Sequence, residues 1–432
     1  LSLALAAIML VGMMVVSASA ASYNNLTDKD EIVNKDAVSM LVSLGIIEGK
    51  PDGSYGPTEN VDRAQMAKML SVIMNKGVDN SALYQSVNSG LVDVNTNWAK
   101  GHINYCYTTG IIAGRGNGKF DPSATVTALE AAKMLLVAVG YDPAIEGFEG
   151  ADWAINVSVR ADEQGIFEGF TKDLSAPLNR DDAALLIYNA LDVEMIQSYT
   201  TNNYPIVYSD HRTILSDKYG VIKVEGVVTA NEWAILDDDT DTALQEGKTR
   251  IYNPDGILST TGNTAVAQDS SANVKTQVFN VSTPVDMLGK AVTMYVKKTT
   301  ILADSTVYGA PVVSDVNTVI ETGEKVTGGD SKDDDSLAAL LKGTGLATDK
   351  ATEYYHNYEE VAIDSADVDD IMNVKGAALT VIDNDNDGYV NYVISVEKSL
   401  THVSGVSSKN ETTTLYGLPG DDVIDNEDIV TT

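Results

Sequence analysis

Gly110-Ile111-Ile112-Ala113-Gly114 organises the N-terminal part of this chain, because closely similar strings occur in two other places. They are Gly45-Ile46-Ile47-Glu48-Gly49 and Gly165-Ile166-Phe167-Glu168-Gly169. A proline follows each string, eight residues beyond its second glycine, at Pro57, Pro122 and Pro177. Three copies in one register predict a single structural unit that is repeated three times.

Each copy has the pattern of a helix, a glycine-rich loop and a second helix. The first helix carries an apolar stripe with helical spacing, which in copy one is Ala37, Met40, Leu41 and Leu44. Gly45 follows directly and can take the left-handed conformation that ends a helix. A single copy has nothing to cover its stripe, so we expect the three copies to pack together.

The second helix of each copy opens with a side chain that is able to cap it. The pairs are Asp62 with Gln65, Thr127 with Glu130, and Asn179 with Asp182. The Thr127 pair is a capping box, and the other two pairs are its relatives. The apolar stripe restarts four residues after each cap in identical register, which predicts helices of the same type in all three copies.

Further residues recur around these strings and carry a resemblance to a known family. Trp98 and Trp153 lie twelve residues before the first glycine of copies two and three, where copy one has Val33. Asp28 and Asp93 lie five residues earlier again in copies one and two. With the Asp-Gly-x-Tyr/Phe-x-Pro loop and a helix start similar to Thr-Arg-Ala-Glu, this order resembles the S-layer homology (SLH) domain.

The resemblance implies a multidomain protein whose N-terminal part is an all-α, pseudo-trimeric bundle of three SLH repeats. We place the repeats at residues 22–77, 88–142 and 147–196. Grooves between the repeats are implied to hold a secondary cell-wall polysaccharide linked to peptidoglycan. Such binding would attach an exported, S-layer-like protein non-covalently to a bacterial cell wall, where copies of the chain could form a surface lattice.

An acidic sugar polymer is bound by planar cations, aromatic faces and backbone that approaches closely. The arginine of the family's helix-start motif is present as Arg63 and Arg180, whereas copy two has Ala128 there and offers only Arg115 in its loop as a substitute. The other candidate polysaccharide-binding residues are Trp98, Trp153, Asp28, Asp93, Gly49, Gly114 and Gly169. A helix-start arginine is more often a solvated charge and a helical tryptophan more often a core residue, so both interpretations stay open.

Composition limits the other functions that this chain can have. Its 432 residues include 62 acidic and 29 basic side chains, a formal net charge of −33, and 44% are hydrophobic. This acidity argues against a nucleic-acid partner, and it also prevents long-range attraction of an acidic polymer, so recognition must be local. The single cysteine, Cys106, excludes a disulfide-stapled scaffold and a cysteine-built zinc site.

The first twenty residues have the character of a secretory signal. An apolar run closes on Ala18-Ser19-Ala20, a typical cleavage site. The alternative is a transmembrane anchor, but the apolar core is shorter than the roughly 20 residues that a bilayer requires. With no Met or basic segment before Leu1, we expect residues 1–20 to be part of a signal peptide and the mature protein to be secreted without a transmembrane anchor.

The second half of the chain reads as all-β, with alternating stretches rich in Val, Tyr, Thr and Ile. We predict a linker at 197–218 and a β-rich module at 219–397. The pattern Val224-x-Gly226-Val227 with Asn231-Glu232 and Leu236 recurs at Val403-x-Gly405-Val406 with Asn410-Glu411 and Leu415. The recurrence predicts that residues 398–432 begin a second, truncated β module.

One acidic turn in this half resembles the start of a calcium loop. The candidate ligands are Asp383, Asp385, Asp387 and Asn391, with Gly388 at the sixth position. Position twelve is Ile394, where an EF-hand has glutamate, and the flanks are strand-like. An acidic hairpin turn is therefore the alternative, and calcium is the one cofactor that we consider.

The sequence favours a non-enzymatic surface protein. The four histidines are widely separated, and no His-Glu-x-x-His or Gly-x-Ser-x-Gly motif occurs. The alternative is an SLH-anchored extracellular enzyme, such as a polysaccharide hydrolase, whose catalytic domain is unrecognised or lies outside this stretch.

Overall fold

The computed structural model describes residues 23–236, 243–257, 274–297, 305–322, 337–361, 376–397, 402–407, 412–416 and 423–425. The predicted signal peptide at residues 1–20 lies outside these ranges. The chain divides into two compact units. Unit 1 comprises Leu1–Gly226, Tyr252–Val281 and Thr293–Val312, and unit 2 comprises Val227–Ile251, Ser282–Val292 and Val313–Thr432.

Three helix–loop–helix pairs build most of the described part of unit 1. The helices are α1 (Lys35–Ser43), α2 (Arg63–Met74), α3 (Lys100–Thr108), α4 (Ala128–Val139), α5 (Trp153–Glu163) and α6 (Arg180–Leu191). Each first helix is followed by a glycine with positive φ, at Gly45, Gly110 and Gly165. The predicted helix ends are therefore confirmed.

The second helices begin where the caps predict. Asp62 and Thr127 each accept a hydrogen bond from the backbone N–H three residues on, and the side chain at that third position returns a bond, so both form complete capping boxes. Asn179 accepts from the backbone N–H of Asp182 at 2.7 Å. These bonds satisfy N–H groups that the first helical turn leaves without partners.

The six helices contact one another in a closed order. α2 packs on α3, α4 packs on α5, and α6 packs on α1. Each second helix thus covers the first helix of the next copy, and the third copy returns to the first. The apolar stripes meet in one core whose most buried side chains include Leu41, Leu70, Ile103, Leu136 and Ile187.

A ring of three backbone hydrogen bonds lies immediately before the second helices. The N–H of Val61 donates to the carbonyl oxygen of Leu178 at 2.8 Å, that of Leu178 to Val126 at 2.8 Å, and that of Val126 to Val61 at 2.9 Å. Each of these residues directly precedes a helix cap. The three copies therefore join through the same backbone position.

The third loop departs from the register that the prolines suggest. Backbone N–H groups at the start of the second helices bond the carbonyl oxygens of Pro57, Pro122 and, in the third copy, Leu174. Pro177 instead forms a bridge with Thr127, as Asn60 does with Asn179. The third loop is shorter between its second glycine and its cap, so Pro177 matches the other prolines in spacing and not in position.

The segment predicted as a linker has regular structure. It contains the hairpin of β1 (Ile196–Tyr199) and β2 (Pro205–Val207), and a π-helical turn spans Leu215–Tyr219.

A five-stranded sheet follows, with the order β5-β4-β3-β6-β7. Its strands are β3 (Val221–Asn231), β4 (Thr249–Tyr252), β5 (Thr276–Phe279), β6 (Ala291–Lys297) and β7 (Val307–Val313).

A second five-stranded sheet belongs to unit 2, with the order β10-β9-β12-β11-β8. Its strands are β8 (Thr318–Glu321), β9 (Glu353–His356), β10 (Glu359–Glu360), β11 (Ala377–Asp383) and β12 (Tyr392–Glu397). β9 and β12 run parallel, and the other neighbours are antiparallel. The short helix α7 (Leu337–Leu341) adds Leu337 and Leu341 to the core of this sheet. The described residues of the second half thus contain several antiparallel sheets, and the division of this half into β-rich modules stays a prediction.

A three-stranded sheet follows, formed by β13 (His402–Ser407), β14 (Thr412–Tyr416) and β15 (Val423–Asp425). In the first occurrence of the repeated pattern, the N–H of Leu236 donates to Thr229. Its counterpart Leu415 pairs with Val403, the residue that corresponds to Val224. The two segments pair in different registers, and a second module that begins near residue 398 stays a prediction.

Candidate functional site

Arg63 joins the first copy to the loop of the second. It is only 4% exposed, and its Nε donates to the carbonyl oxygen of Phe120 at 2.8 Å. Its Nη2 donates to the carbonyl oxygen of Ala113 at 2.9 Å, and its Cζ lies 4.4 Å from the centroid of the Phe120 ring. The predicted binding arginine is therefore largely committed to holding a loop.

A cavity of about 400 Å³ opens beside this arginine, and we call it groove A. It is lined by the loop and second helix of copy two and by the start of copy three. The charged and aromatic lining residues are Arg63, Arg115, Glu130, Lys133, Phe148, Glu149 and Trp153, and the predicted Gly114 lies among them. Groove A therefore brings together an arginine, a tryptophan and a glycine that the sequence proposes as binding residues.

The charges in groove A are arranged around one carboxylate. Glu130 Oε1 lies 2.6 Å from Arg115 Nη2 and 4.0 Å from Arg63 Nη1. Lys133 donates to the carbonyl oxygen of Phe148 at 2.6 Å, and its Nζ lies 5.8 Å from the Trp153 ring centroid. Burial lowers the pKa of Lys133. Three cations around an aromatic wall suit an acidic sugar better than a neutral one.

The same positions one copy earlier form a second set, which we call groove B: Arg180, Lys50, Lys68, Trp98 and the Gly49 loop. The Cζ of Arg180 lies 4.7 Å from the Tyr55 ring centroid, and its Nη2 donates to the carbonyl oxygen of Glu48 at 3.4 Å. Lys68 Nζ lies 3.6 Å from Glu48 Oε2. Trp98 is 58% exposed, as an available aromatic face should be.

The third equivalent location has none of these residue types. Ala128 replaces the arginine, Phe170 the loop cation, Leu185 the helix lysine and Val33 the tryptophan. Val33 is 82% exposed. The suggestion that Arg115 replaces the cation missing at Ala128 is not supported by its position, because Arg115 lines groove A with Arg63.

Asp28 and Asp93 hold loops and do not line groove A. Asp28 accepts from the N–H groups of Tyr55 and Gly56 at 2.7 and 2.8 Å. Asp93 accepts from Phe120 and the following residue at 3.0 and 2.8 Å. Partial burial opposes the charged form, but these backbone donors outweigh it and lower the pKa of both carboxyls. Each aspartate fixes the aromatic residue on which an arginine stacks.

The three predicted glycines shape the loops for different reasons. A Cβ at Gly114 would lie 2.8 Å from the carbonyl oxygen of Lys119, which leaves no room for a side chain. At Gly49 the nearest atom would be the flexible Leu26 side chain, at 3.1 Å. Gly169 has a φ of +73°, a backbone conformation that favours glycine.

The acidic turn between β11 and β12 brings three of its four predicted ligands together. Carboxylate oxygens of Asp383, Asp385 and Asp387 lie within 4.8 Å of one another. Asp383 is buried and accepts backbone N–H bonds within the turn, while Asn391 accepts from the N–H of Asn384 at 2.7 Å. Calcium binding at this turn stays a prediction.

Sequence reasoning did not select Lys50, Lys68 and Lys133. A residue-by-residue alignment of the three copies would have found them, because Lys68 and Lys133 lie six residues after their caps and Lys50 matches Arg115. Their possible binding role is apparent only in the folded bundle, where the loop of one copy lies beside the second helix of the preceding copy. A local sequence pattern does not contain that contact.

The model of the S-layer homology domain matches residues 25–67 and 92–132. These segments are S-layer homology domains. They contain Arg63, Trp98, Asp28, Asp93 and both complete capping boxes. The third copy and the β-rich half lie outside the matched residues.

Curated relatives of this chain include proteins named for the bacterial surface and also enzymes. A cell surface protein of Thermoanaerobacter kivui is 27% identical over 82% of this chain and 40% of its own length. An S-layer protein of Bacillus licheniformis is 33% identical over 26% of this chain and 12% of its own length. An amylopullulanase of Thermoanaerobacterium thermosulfurigenes is 31% identical over 37% of this chain and 9% of its own length. The chain thus spans less than half the length of these relatives.

The S-layer homology domains and these relatives make the chain a secreted protein of the cell surface. Within the residues that the structure describes, no helix has both the length and the apolar character needed to cross a bilayer.

Proposed function

We propose that this chain anchors an exported surface protein to the bacterial cell wall by binding secondary cell-wall polysaccharide in grooves A and B. The main observation behind this proposal concerns four equivalent positions at the three locations. Their characteristic residue types are all present at two locations and all absent at the third. Groove A has Arg63, Arg115, Lys133 and Trp153, and groove B has Arg180, Lys50, Lys68 and Trp98. The third location lacks all four. Solvated charges with no common role have no reason to disappear together, whereas residues that share a ligand do.

The bundle that presents these grooves is, in this proposal, pseudo-threefold, with the third copy a divergent SLH repeat. The ring of hydrogen bonds through Val61, Val126 and Leu178 supports this arrangement, as does the closed order of helix contacts. The shortened third loop explains why copy three departs from the family pattern while keeping its helices.

Recognition in this proposal is local because the whole chain repels anions. A net charge of −33 gives no long-range attraction for an acidic polymer. In groove A, however, three cations face two carboxylates, Glu130 and Glu149, beside the Trp153 ring. Such clustered donors act at short range and are weakened by salt, so the polymer should bind less tightly as ionic strength rises.

Co-sedimentation with purified cell-wall sacculi tests the proposal. We expect the chain to sediment with intact sacculi and not with sacculi from which the secondary polysaccharide has been extracted. The lysines are better probes than Arg63, because Arg63 is needed to hold a loop. Lys133→Leu together with Lys68→Leu should weaken binding about tenfold or more, since each removes a charged hydrogen-bond donor.

The matched control lies at the third location. Leu185→Lys adds a lysine at the position equivalent to Lys133, but without the arginine and tryptophan it should not strengthen binding. Unchanged sedimentation with the double lysine variant, or after removal of the polysaccharide, would contradict the proposal.

We also propose that the β-rich half takes part in a surface lattice formed by copies of the chain. S-layer proteins among the relatives support this step. Electron microscopy of the full chain on sacculi tests it, and a disordered coat at saturating protein would contradict it.

An SLH-anchored extracellular enzyme is the second candidate, because an amylopullulanase, an exoglucanase and a cell wall amidase are also similar to part of this chain. One triad-like constellation occurs in unit 1: Ser71 Oγ lies 3.0 Å from His102 Nδ1, and His102 Nε2 lies 3.6 Å from Asp79. Ser71 is only 1% exposed, so a substrate cannot reach it. Release of sugars or peptides from sacculi by the full chain would favour the enzyme.

A further inference from the structure

We propose that Glu48 is an internal competitor in groove B, where its carboxylate occupies the place of the polymer's acidic group against Lys68. Groove A then binds first, and groove B binds only when Glu48 is displaced. This inference rests on the proposed function of the two grooves and adds a residue that makes them unequal.

The equivalent residue in groove A provides the comparison. Glu48 and Ala113 both precede the second glycine of their strings, and both offer a carbonyl oxygen to the arginine of the preceding copy in the closed order. The backbone role is therefore the same in both grooves. Only Glu48 adds a charged side chain, and its carboxylate lies beside Lys68 of its own groove.

The contact of Glu48 is with the lysine that the polymer would need. Lys68 Nζ lies 3.6 Å from Glu48 Oε2. Its counterpart Lys133 instead donates to the carbonyl oxygen of Phe148, and no carboxylate lies within ion-pair distance of it among the described residues. Lys133 is thus held by a neutral acceptor, whereas Lys68 is held by an anion that resembles the ligand.

The Glu48 side chain is also free to leave. It is 71% exposed, and its contact with Lys68 is an exposed ion pair of the kind that contributes little stability. Glu130 in groove A is different, because its other oxygen accepts from the backbone N–H of Thr127 in a capping box. The Glu130 carboxylate is therefore held in groove A by its capping bond. The Glu48 carboxylate has no such bond to the backbone among the described residues.

Affinity for acid-released cell-wall polysaccharide tests the inference in the full chain. Groove A is first removed by Arg115→Ala with Lys133→Leu, so that the remaining binding reports groove B. Adding Glu48→Gln to this background should then tighten binding about three- to tenfold, because one like charge leaves the site. The reciprocal graft, Ala113→Glu in the otherwise unchanged chain, should weaken binding by a similar factor.

Glu168→Gln is the matched control, because Glu168 also precedes the second glycine of its string but lies beside the location that lacks the arginine, the helix lysine and the tryptophan, and we expect no change. Equal or weaker binding of the Glu48→Gln variant, with the unchanged chain still binding the polysaccharide, would overturn the inference alone. No binding by the unchanged chain would instead overturn the proposed function, and the inference with it.

Discussion

The Cζ atom of Arg63 lies 4.4 Å from the centroid of the Phe120 ring, so the second helix of copy one grips the loop of copy two. Arg180 repeats this relationship with Tyr55 at 4.7 Å. At the third location Ala128 of copy two replaces the arginine, and the matching loop position of copy three holds Lys172 in place of an aromatic residue. Each stack is therefore part of a seam between copies as well as a wall of a groove.

Arg63→Ala should destabilise the chain by about 2–4 kcal/mol, because it leaves the carbonyl oxygens of Phe120 and Ala113 without their donor and opens a gap under the ring. Arg63→Lys should recover little, since an ammonium cannot make the same planar, forked contact. Denaturant unfolding of the full chain measures both. A loss below about 0.5 kcal/mol for Arg63→Ala would contradict the structural role.

Arg115→Ala should separate binding from stability in the same groove. Arg115 is exposed, and its ion pair with Glu130 contributes little to folding. We expect its unfolding free energy to stay within about 0.5 kcal/mol of the unchanged chain while polysaccharide binding weakens. Loss of stability without loss of binding would reverse the roles that we assign to Arg63 and Arg115.

Gly114→Ala and Gly49→Ala should differ although both change the same loop position. At Gly114 the new methyl group meets the carbonyl oxygen of Lys119, which already accepts from the N–H of Arg115 at 2.8 Å and cannot move away freely. At Gly49 the obstacle is the flexible side chain of Leu26. We expect a cost of about 1–3 kcal/mol at Gly114 and less at Gly49. Thermal unfolding of the two variants checks this, and equal costs would contradict it.

Asp93 should make the stability of the chain depend on acid pH. Burial alone would raise its pKa, but the N–H groups of Phe120 and Asp121 lower the pKa below the ordinary value. The stabilisation is therefore complete above about pH 4 and is lost as the pH falls through the lower, folded pKa. Asp93→Asn should cost about 1–3 kcal/mol at pH 7 and flatten this pH dependence. Urea unfolding at pH 7 and pH 3 measures both effects.

The helices and their ends were predictable because their signals are local. The capping pairs at Asp62, Thr127 and Asn179 and the glycines that end the first helices all lie within a few residues of the feature that they fix. The loop of copy three was not predictable in this way. Pro177 keeps its distance from Gly169, but the segment before the cap is shorter, so Leu174 takes the position that the proline has in the other two copies. Spacing measured from one end of a loop does not register a deletion nearer the other end.

The grooves were predictable only in part, for a similar reason. Arg63, Trp153 and Gly114 follow from a family motif, and groove A brings them together. The aspartates shared that motif, but their oxygens serve the loop backbone. Lys133 and its counterpart Lys68 lie on helical faces where a lone positive charge is usually solvated. The role of Lys133 depends on Arg63 and Trp153, which belong to the two other copies and reach groove A only through the closed packing of the helices.

The turn at Asp383 should bind calcium weakly if its outer carboxylates are free to serve as ligands. Asp383 itself accepts from the N–H groups of Asn386 and Gly388, so it shapes the turn. Burial and the neighbouring Asp387 raise the pKa of Asp385, a sign of crowded negative charge that a divalent cation would relieve. Calorimetry on the full chain should then show calcium binding with a Kd of about 0.1–1 mM, as in extracellular modules. Asp385→Asn with Asp387→Asn should abolish the heat and leave the fold intact, whereas Asp383→Asn should loosen the hairpin with or without calcium. The absence of both heat and a calcium-dependent rise in Tm in the unchanged chain would leave this segment as a hairpin turn.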